Sequence, residues 1–283
     1  MIDPVYPRVN LLPHPLYERG YPAFPMVPCS VVDRPGHVKV LRALDLYGPD
    51  QIVPISVMTH ARISANMQRL VRQFPCDDRG CVGVLGVPCP YRESSERCPY
   101  RAHIRRRMVW ICDSGAFTRQ GAPGSYPHLF ELYDRLCVDY GIIADVLRDS
   151  VATLESARQA MAAYPPYRRS FSLVGVAQGT TVEDYLGCYQ ELKAMGFQFI
   201  AVGGLLCKVQ GAARYTKVES EPLLWGILSA LRGAYPNDWL FALGALHPRR
   251  IAQLVRYRIW ADSKRWLFQY TQEKASCARE YPR

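Results

Sequence analysis

The sequence predicts an α/β fold, a (β/α)8 barrel of the TIM type, and three observations predict it. Short apolar runs alternate with helix-patterned stretches from Arg107 onward. Five runs end abruptly in polar residues or glycine. Met108 to Cys112 ends in Asp113-Ser114, Ile142-Ile143-Ala144 in Asp145, and Phe171 to Ala177 in Gln178-Gly179. Phe199 to Val202 ends in Gly203-Gly204, and Tyr257 to Ala261 in Asp262-Ser263. Buried parallel strands read as continuous apolar runs, and in a barrel their C-terminal ends carry the functional groups. Finally, 283 residues suffice for one barrel with a large core, so a single domain over 1–283 is expected.

Residues 1–50 hold Pro4, Pro7, Pro13, Pro15, Pro22, Pro25 and Pro28, and are expected to wrap the domain irregularly. Gln51 to Val57 reads as a strand. Thr59 to Phe74 reads as a helix with Ile63, Met67, Leu70 and Val71 on one face. Residues 75–100 form a Cys-rich loop insertion without helical period. Strands are then expected at 107–113, 140–147, 171–178, 197–205, 239–246 and 257–263. Helices are expected at 126–138, 149–163, 181–195, 220–234 and 247–256. Thr180-Thr181 ahead of Glu183 and Asp184, and Asp149-Ser150 ahead of Val151 and Leu154, supply helix-start signals. Repeated βα units imply a parallel sheet with right-handed crossovers. Six such units plus upstream strands fit a closed barrel better than a five-stranded open sheet.

Thirty-five Lys and Arg against 25 Asp and Glu give a net charge of +10. An excess of this size favours a polyanionic partner, because each neutralised phosphate releases counterions. The alternative is a merely soluble basic surface. Arg105-Arg106-Arg107, Arg249-Arg250, Lys264 and Arg265 are candidates for gripping phosphates. Trp266 or Tyr257 could stack on a base, and Trp266 could instead plug the barrel. No apolar run approaches the roughly 18 residues of a membrane span. The Met1-Ile2-Asp3-Pro4 start lacks the basic-then-apolar pattern of a secretory signal. A cytoplasmic location with no membrane partner is expected.

Ten cysteines in such a protein argue against a disulfide framework. Cys112, Cys137, Cys188 and Cys207 lie in apolar or helical contexts, where free Cys is usually a core residue. Cys76, Cys81, Cys89 and Cys98 cluster instead, with spacings Cys-x4-Cys-x7-Cys-x8-Cys. A Gly- and Pro-rich loop needs a staple, and four thiolates suit zinc, with an iron–sulfur cluster as the alternative. The spacing matches neither a zinc ribbon nor a common ferredoxin run, and unliganded thiols or disulfides remain open. No organic cofactor is expected.

By this reading Asp113, Asp145, Gln178, Gly204 and Asp262 gather at one barrel mouth. Several carboxylates there permit a division of labour. One stays ionised as a nucleophile while another is held protonated for part of the cycle. Glycosyl chemistry uses such pairs, since its oxocarbenium-like transition state wants an anion on one face and an acid near the leaving group. Each Asp taken alone could be a helix cap or turn residue. His247, after Leu246 at another strand end, could be catalytic or a helix-cap residue.

These residues also carry a family resemblance. Asp113-Ser114-Gly115-Ala116-Phe117 resembles the Asp-Ser-Gly-Gly-Phe box of the tRNA-guanine transglycosylase superfamily. Val174-Gly175-Val176-Ala177-Gln178-Gly179 is similar to its Gly-x-x-Gln-Gly strand. Thr181 to Tyr185 and Gly196 to Leu205 follow in that family's order, and Asp262 falls where the family's nucleophilic Asp would. The resemblance spans roughly 107–268. The tRNA enzymes continue past this Asp with Pro-Thr-Arg and a Cys-and-His zinc subdomain. Here Asp262 is followed by Ser263-Lys264-Arg265-Trp266, and only Cys277 remains. That ending is similar to the DpdA-type branch, which inserts 7-deazaguanine bases into DNA. The Cys76 to Cys98 loop matches neither branch.

The resemblance implies a (β/α)8 enzyme that exchanges guanine in DNA for a preQ0-like 7-deazaguanine. Asp262 would attack C1′ and hold the sugar as an ester, and Asp113 would shuttle the proton. Asp145 and Gln178 would read the guanine-like edge, with Ser114 beside them. The backbone at Gly203, Gly204 and Leu205 would add N–H contacts. Asp145 is assigned by aligning Asp139 and Asp145 with two family carboxylates, and Asp149 competes for the role. Val146 and Leu147 replace the family's acidic and cysteine neighbours. Extracting a base from a duplex costs a few kcal/mol, so a duplex-opening helper protein is an implied partner. The competing readings are a tRNA substrate, a catalytically silent metal-stapled nucleic-acid-binding barrel, and a cluster-dependent redox enzyme.

Overall fold

Val, Ile, Phe and Trp dominate the apolar runs, and such side chains suit a pleated surface buried on both faces. In the computed structural model these runs are strands of one parallel sheet. The structure describes residues 28–31, 55–61, 63, 108–116, 124–136, 138, 140–168, 170–205 and 221–263. The strands are β1 (Pro28–Val31), β2 (Ile55–His60), β3 (Met108–Asp113), β4 (Tyr140–Ile142), β5 (Ser172–Ala177), β6 (Phe199–Val202), β7 (Leu240–Ala242) and β8 (Ile259–Ser263). Neighbours pair in sequence order and all in parallel, and the sheet curls until β8 pairs with β1. Among the described residues the helices are α1 (Tyr126–Leu136), α2 (Ser150–Ala163), α3 (Val182–Ala194), α4 (Glu221–Ala234) and α5 (Ile251–Arg256). One helix follows each strand from β3 to β7. The expected wrap outside β1, the Cys-rich insertion at 75–100, and most of the helix expected after β2 lie outside the described residues.

One expectation near β2 is corrected. The described strand covers Ile55–His60, so Thr59 and His60 are strand residues and not the start of a helix. Residues 51–54 lie outside the described residues.

β4 stops at Ile142 and does not run to 147. Ile143 still donates to the Val174 carbonyl, but beyond it helix side chains take over the backbone. The Tyr126 hydroxyl accepts from the Ala144 N–H at 3.2 Å, and the Ser156 hydroxyl donates to the Ala144 carbonyl at 2.6 Å. Thr153 Oγ1 accepts from the Val146 N–H and donates to the Val146 carbonyl. β7 likewise ends at Ala242, short of 246, and the last expected helix opens as a 3-10 turn at Pro248–Arg250.

The helix starts match their sequence signals. Asp149 caps α2 by accepting from the Ala152 N–H. Thr181 and Asp184 form a reciprocal capping box at α3. Asp184 also takes N–H and hydroxyl bonds from Thr180, which hold its carboxyl down at about 2.

The N-terminal end of the barrel is filled by aromatic rings. Tyr140 and Phe199 lie 5.3 Å apart, centroid to centroid, although β5 separates their strands. Both rings therefore point into the lumen. Trp239 stacks 6.1 Å from Tyr140 and meets Phe241 and Trp260 at 5.5 and 5.7 Å. All five rings are buried. A layer built from alternate strands is the usual barrel filling. Trp239 and Trp260 make the plug that was considered for Trp266, which lies outside the described residues.

Candidate active site at the strand C-termini

Side-chain direction along β3 can be read from its neighbours. Gly141 pairs with Cys112, and a Cβ there would run into the Tyr133 ring of α1. Cys112 therefore faces the helix layer. Asp113, one residue later, faces the lumen. His60 is its register partner on β2 and shares that face. Both are half-buried at the mouth. His60 escaped the sequence reading because the run was placed as a helix. Its signal was present: Ile55 to Met58 ends in Thr59-His60 as the other strands end in Asp or Gln.

Asp145 stands on a loop that helix side chains have already immobilised. The clamps on Ala144 and Val146 flank it, and its own side chain is buried. Gln178, immediately after β5, donates from Nε2 to Asp145 Oδ2. The other end of the same amide accepts the Arg148 N–H at 3.0 Å. Among the described residues, none gives the buried Asp145 Oδ1 a hydrogen bond. Burial, and secondly the Asp113 charge, push the Asp145 carboxyl up to about 7, against the lowering effect of the Gln178 bond. Asp149, the competing carboxylate, is exposed and committed to capping α2.

Gly203, at the end of β6, provides the room for this pair. A Cβ on it would lie 2.9 Å from Val176 Cγ1 and 3.1 Å from Asp145 Oδ2, and still closer to Gln178 Nε2. The implied substrate contact from its N–H is corrected, since that N–H donates to the Ala177 carbonyl at 3.0 Å. Its carbonyl accepts from the Tyr185 hydroxyl at 2.8 Å. Gly204 adopts φ +70°, where an L side chain is strained, and the Leu205 side chain is buried.

Asp262 is buried near the end of β8. Its Oδ1 accepts the Gly244 N–H at 2.6 Å, and its carbonyl accepts the Leu246 N–H. The turn after β7 thus orients this carboxylate. Ser114 is buried, and its Oγ accepts from the Ala116 N–H in the turn after Asp113.

The expected phosphate contacts separate. Arg249 is exposed. Its N–H donates to His247 Nδ1, which gives His247 the turn-capping role. Arg250 is corrected: it is buried, grips the Glu221 carboxylate at 2.6–3.1 Å and donates to the Ala245 carbonyl. A guanidinium so enclosed joins α4 to the β7 turn, and it holds the Glu221 carboxyl below its usual range. Tyr257 is also corrected as a base platform. It precedes β8, at the end opposite the carboxylates, and stacks on Trp225. Arg105, Arg106, Arg107, Lys264, Arg265 and the cysteines Cys76, Cys81, Cys89 and Cys98 lie outside the described residues. Among the described residues, no cluster of His, Cys, Asp and Glu could hold a metal ion. Among them, too, no helix is long and apolar enough to cross a membrane.

No protein-family model matches the chain, and no curated protein matches it. The superfamily resemblance is carried by the quoted residues and their order alone. The established ground is an α/β fold with an all-parallel curled sheet and a polar cluster at its strand C-termini.

Proposed function

We propose that the chain is a complete (β/α)8 barrel enzyme, a transglycosylase that exchanges guanine in DNA for a 7-deazaguanine base. One observation carries this reading: the Asp145–Gln178 pair, buried beside Asp113, keeps a carboxyl oxygen without a partner among the described residues. An orphaned buried oxygen costs stability unless a ligand satisfies it. A purine-like edge with ring N–H and amino donors suits an ionised carboxylate, and a ring acceptor suits a protonated one.

The chemistry divides over three groups. The Asp262 carboxylate attacks C1′, the bond from C1′ to the guanine nitrogen breaks, and its electron pair leaves with the base. Asp113 supplies the proton that neutralises the departing guanine. The incoming 7-deazaguanine then returns a proton to Asp113, and its nitrogen displaces Asp262 from C1′. The Gly244 N–H keeps the Asp262 carboxylate oriented through both displacements. Asp145 and Gln178 hold each base in turn. The proposed placement is cytoplasmic, with a duplex-opening helper protein as partner.

Incubation with radiolabelled guanine and either duplex DNA or tRNA tests the reading. Label is expected in DNA and is expected to vanish with Asp262→Ala. Label in tRNA alone selects the RNA-directed alternative. Absence of label in both polymers, with nucleic-acid binding retained, selects the silent binding barrel. The four clustered cysteines are proposed to hold one structural zinc, checked by elemental analysis of the purified protein. Iron with visible absorbance would replace zinc by a cluster.

A further inference from the structure

His60 is a titratable group at the mouth that stands outside the three groups of the exchange chemistry. Register delivers it to Asp113: the two residues are Cα partners on neighbouring parallel strands and share the lumen face. Neighbouring strands lie about 4.8 Å apart, so the two side chains leave the sheet next to each other. The backbone locks that register. Ala61, after His60, donates its N–H to the Asp113 carbonyl at 2.8 Å, and the His60 carbonyl accepts the Ile63 N–H at 3.2 Å. The imidazole is half-buried, with Nδ1 shut off from solvent.

Among the described residues, Asp113 is the group that β3 turns toward His60, since Cys112 points to the helix layer. β1, on the other side of β2, places Cys29 against Ser56, well short of the His60 level. Farther round the mouth stand Asp145 after β4 and Asp262 on β8, both buried. The exposed Arg148 and Arg249 and the half-buried His247 lie in the turns after β4 and β7. The Asp113 charge is felt at Asp145, where it opposes ionisation. Carboxyl groups therefore crowd this mouth, and an imidazolium beside Asp113 offsets their repulsion.

We propose that His60 and Asp113 form one acid–base pair in which His60 stores the proton that Asp113 delivers. An ordinary aspartic acid, near 3.9, carries a proton at pH 7 in about one molecule in a thousand. An imidazole near 6.5 carries one in about a quarter of molecules, and a carboxylate at its side raises that share. Before guanine departs, the pair is imidazolium and carboxylate. As the bond to C1′ breaks, Asp113 takes the imidazolium proton and passes it to the guanine nitrogen, which leaves neutral imidazole and carboxylate. The incoming 7-deazaguanine loses its N–H proton to Asp113, which returns it to His60. His60 acts through Asp113 and is a positioning residue for that proton. The assignment rests on the transglycosylase reading above and names the source of its acid.

The full chain is tested in two arms. In the first, proton NMR follows the imidazole C–H resonance of His60, assigned by its loss in His60→Gln. Asp113→Asn is expected to move that titration to lower pH by about one unit, because the carboxylate that favours the imidazolium is gone. An unmoved titration overturns the pair. In the second arm, entry of radiolabelled guanine into duplex DNA or tRNA is compared between the parent and His60→Gln from pH 5 to 8. Glutamine keeps a polar side chain that cannot titrate, and His60→Asn is a second, shorter substitute. The variant's rate relative to the parent's is expected to drop about tenfold per pH unit between pH 5 and about 6.5, and to recover on acidification. A loss of equal size at every pH, or no loss, overturns the storage role. A titration that moves in Asp113→Asn, with no guanine entering either polymer, overturns the transglycosylase reading while the pair stands.

Discussion

Gln178 and Asp145 hold each other in place, the amide nitrogen donating to one carboxyl oxygen while the amide oxygen anchors the Arg148 backbone. This arrangement fixes a carboxyl group in a buried setting where its charge is disfavoured. Its consequences can be measured.

The Asp145 carboxyl sits at about 7, above its ordinary 3.8. The folded protein therefore keeps a proton that the unfolded chain releases. Stability from this group is fully present below pH 4 and is lost as pH rises through 7. Asp145→Asn removes the titration, so its melting temperature is expected to gain on the parent's between pH 4 and 8. Each tenfold in proton affinity is worth about 1.4 kcal/mol, so the gain should reach several degrees. Asp113→Asn removes the neighbouring charge and is expected to lower the Asp145 value. Carbon-13 titration of the carboxyl groups reads that change.

Gly203→Ala places a methyl group where Val176, Asp145 and Gln178 already meet. Overpacking of this kind costs about 1–3 kcal/mol. The variant is expected to fold with a lower melting temperature and to drive Gln178 off Asp145. The Asp145 carboxyl would then titrate higher, since the amide bond that restrains it is weakened. An Ala variant with parental melting and parental titration would show that the loop yields freely.

Arg232 is the main clamp at the opposite end of the barrel. Its guanidinium donates to the carbonyls of Tyr235, Pro236, Asp238, Tyr257 and Arg258 at 2.7–3.1 Å. Arg232→Met is expected to cost about 3 kcal/mol in urea unfolding, because several partly buried carbonyls lose their donor. Arg232→Lys is expected to recover less than half, since an ammonium cannot span that fan of acceptors. A Lys variant as stable as the parent would contradict the clamp.

The strand ends were legible because a buried run followed by Asp or Gln leaves a plain trace in the sequence. Asp113, Gln178 and Asp262 fall at the strand C-termini where the sequence placed them, and Asp145 falls on the loop after β4. His60 was hidden by a short run whose helical and extended readings compete, although Ile55 to Met58 ends in Thr59-His60 as the other strands end in Asp or Gln. The commitment of Arg250 to Glu221 was invisible for another reason. Basic residues in sequence look alike whether they face water or a carboxylate many residues away. The Gly203 cradle was likewise out of reach, because it depends on three strands meeting at one point. Trp239 and Trp260 belong to runs that any buried strand could carry, and only their cross-lumen contacts mark them as the plug.

That aromatic plug also dictates traffic. Among the described residues these rings fill the N-terminal end of the lumen, and His60, Asp113, Asp145, Gln178 and Asp262 gather at the other. For the proposed exchange, departing and arriving bases must pass through the same opening, so they go in turn. On that proposal the sugar stays on Asp262 between the two passages, and the expected kinetic scheme alternates release and uptake.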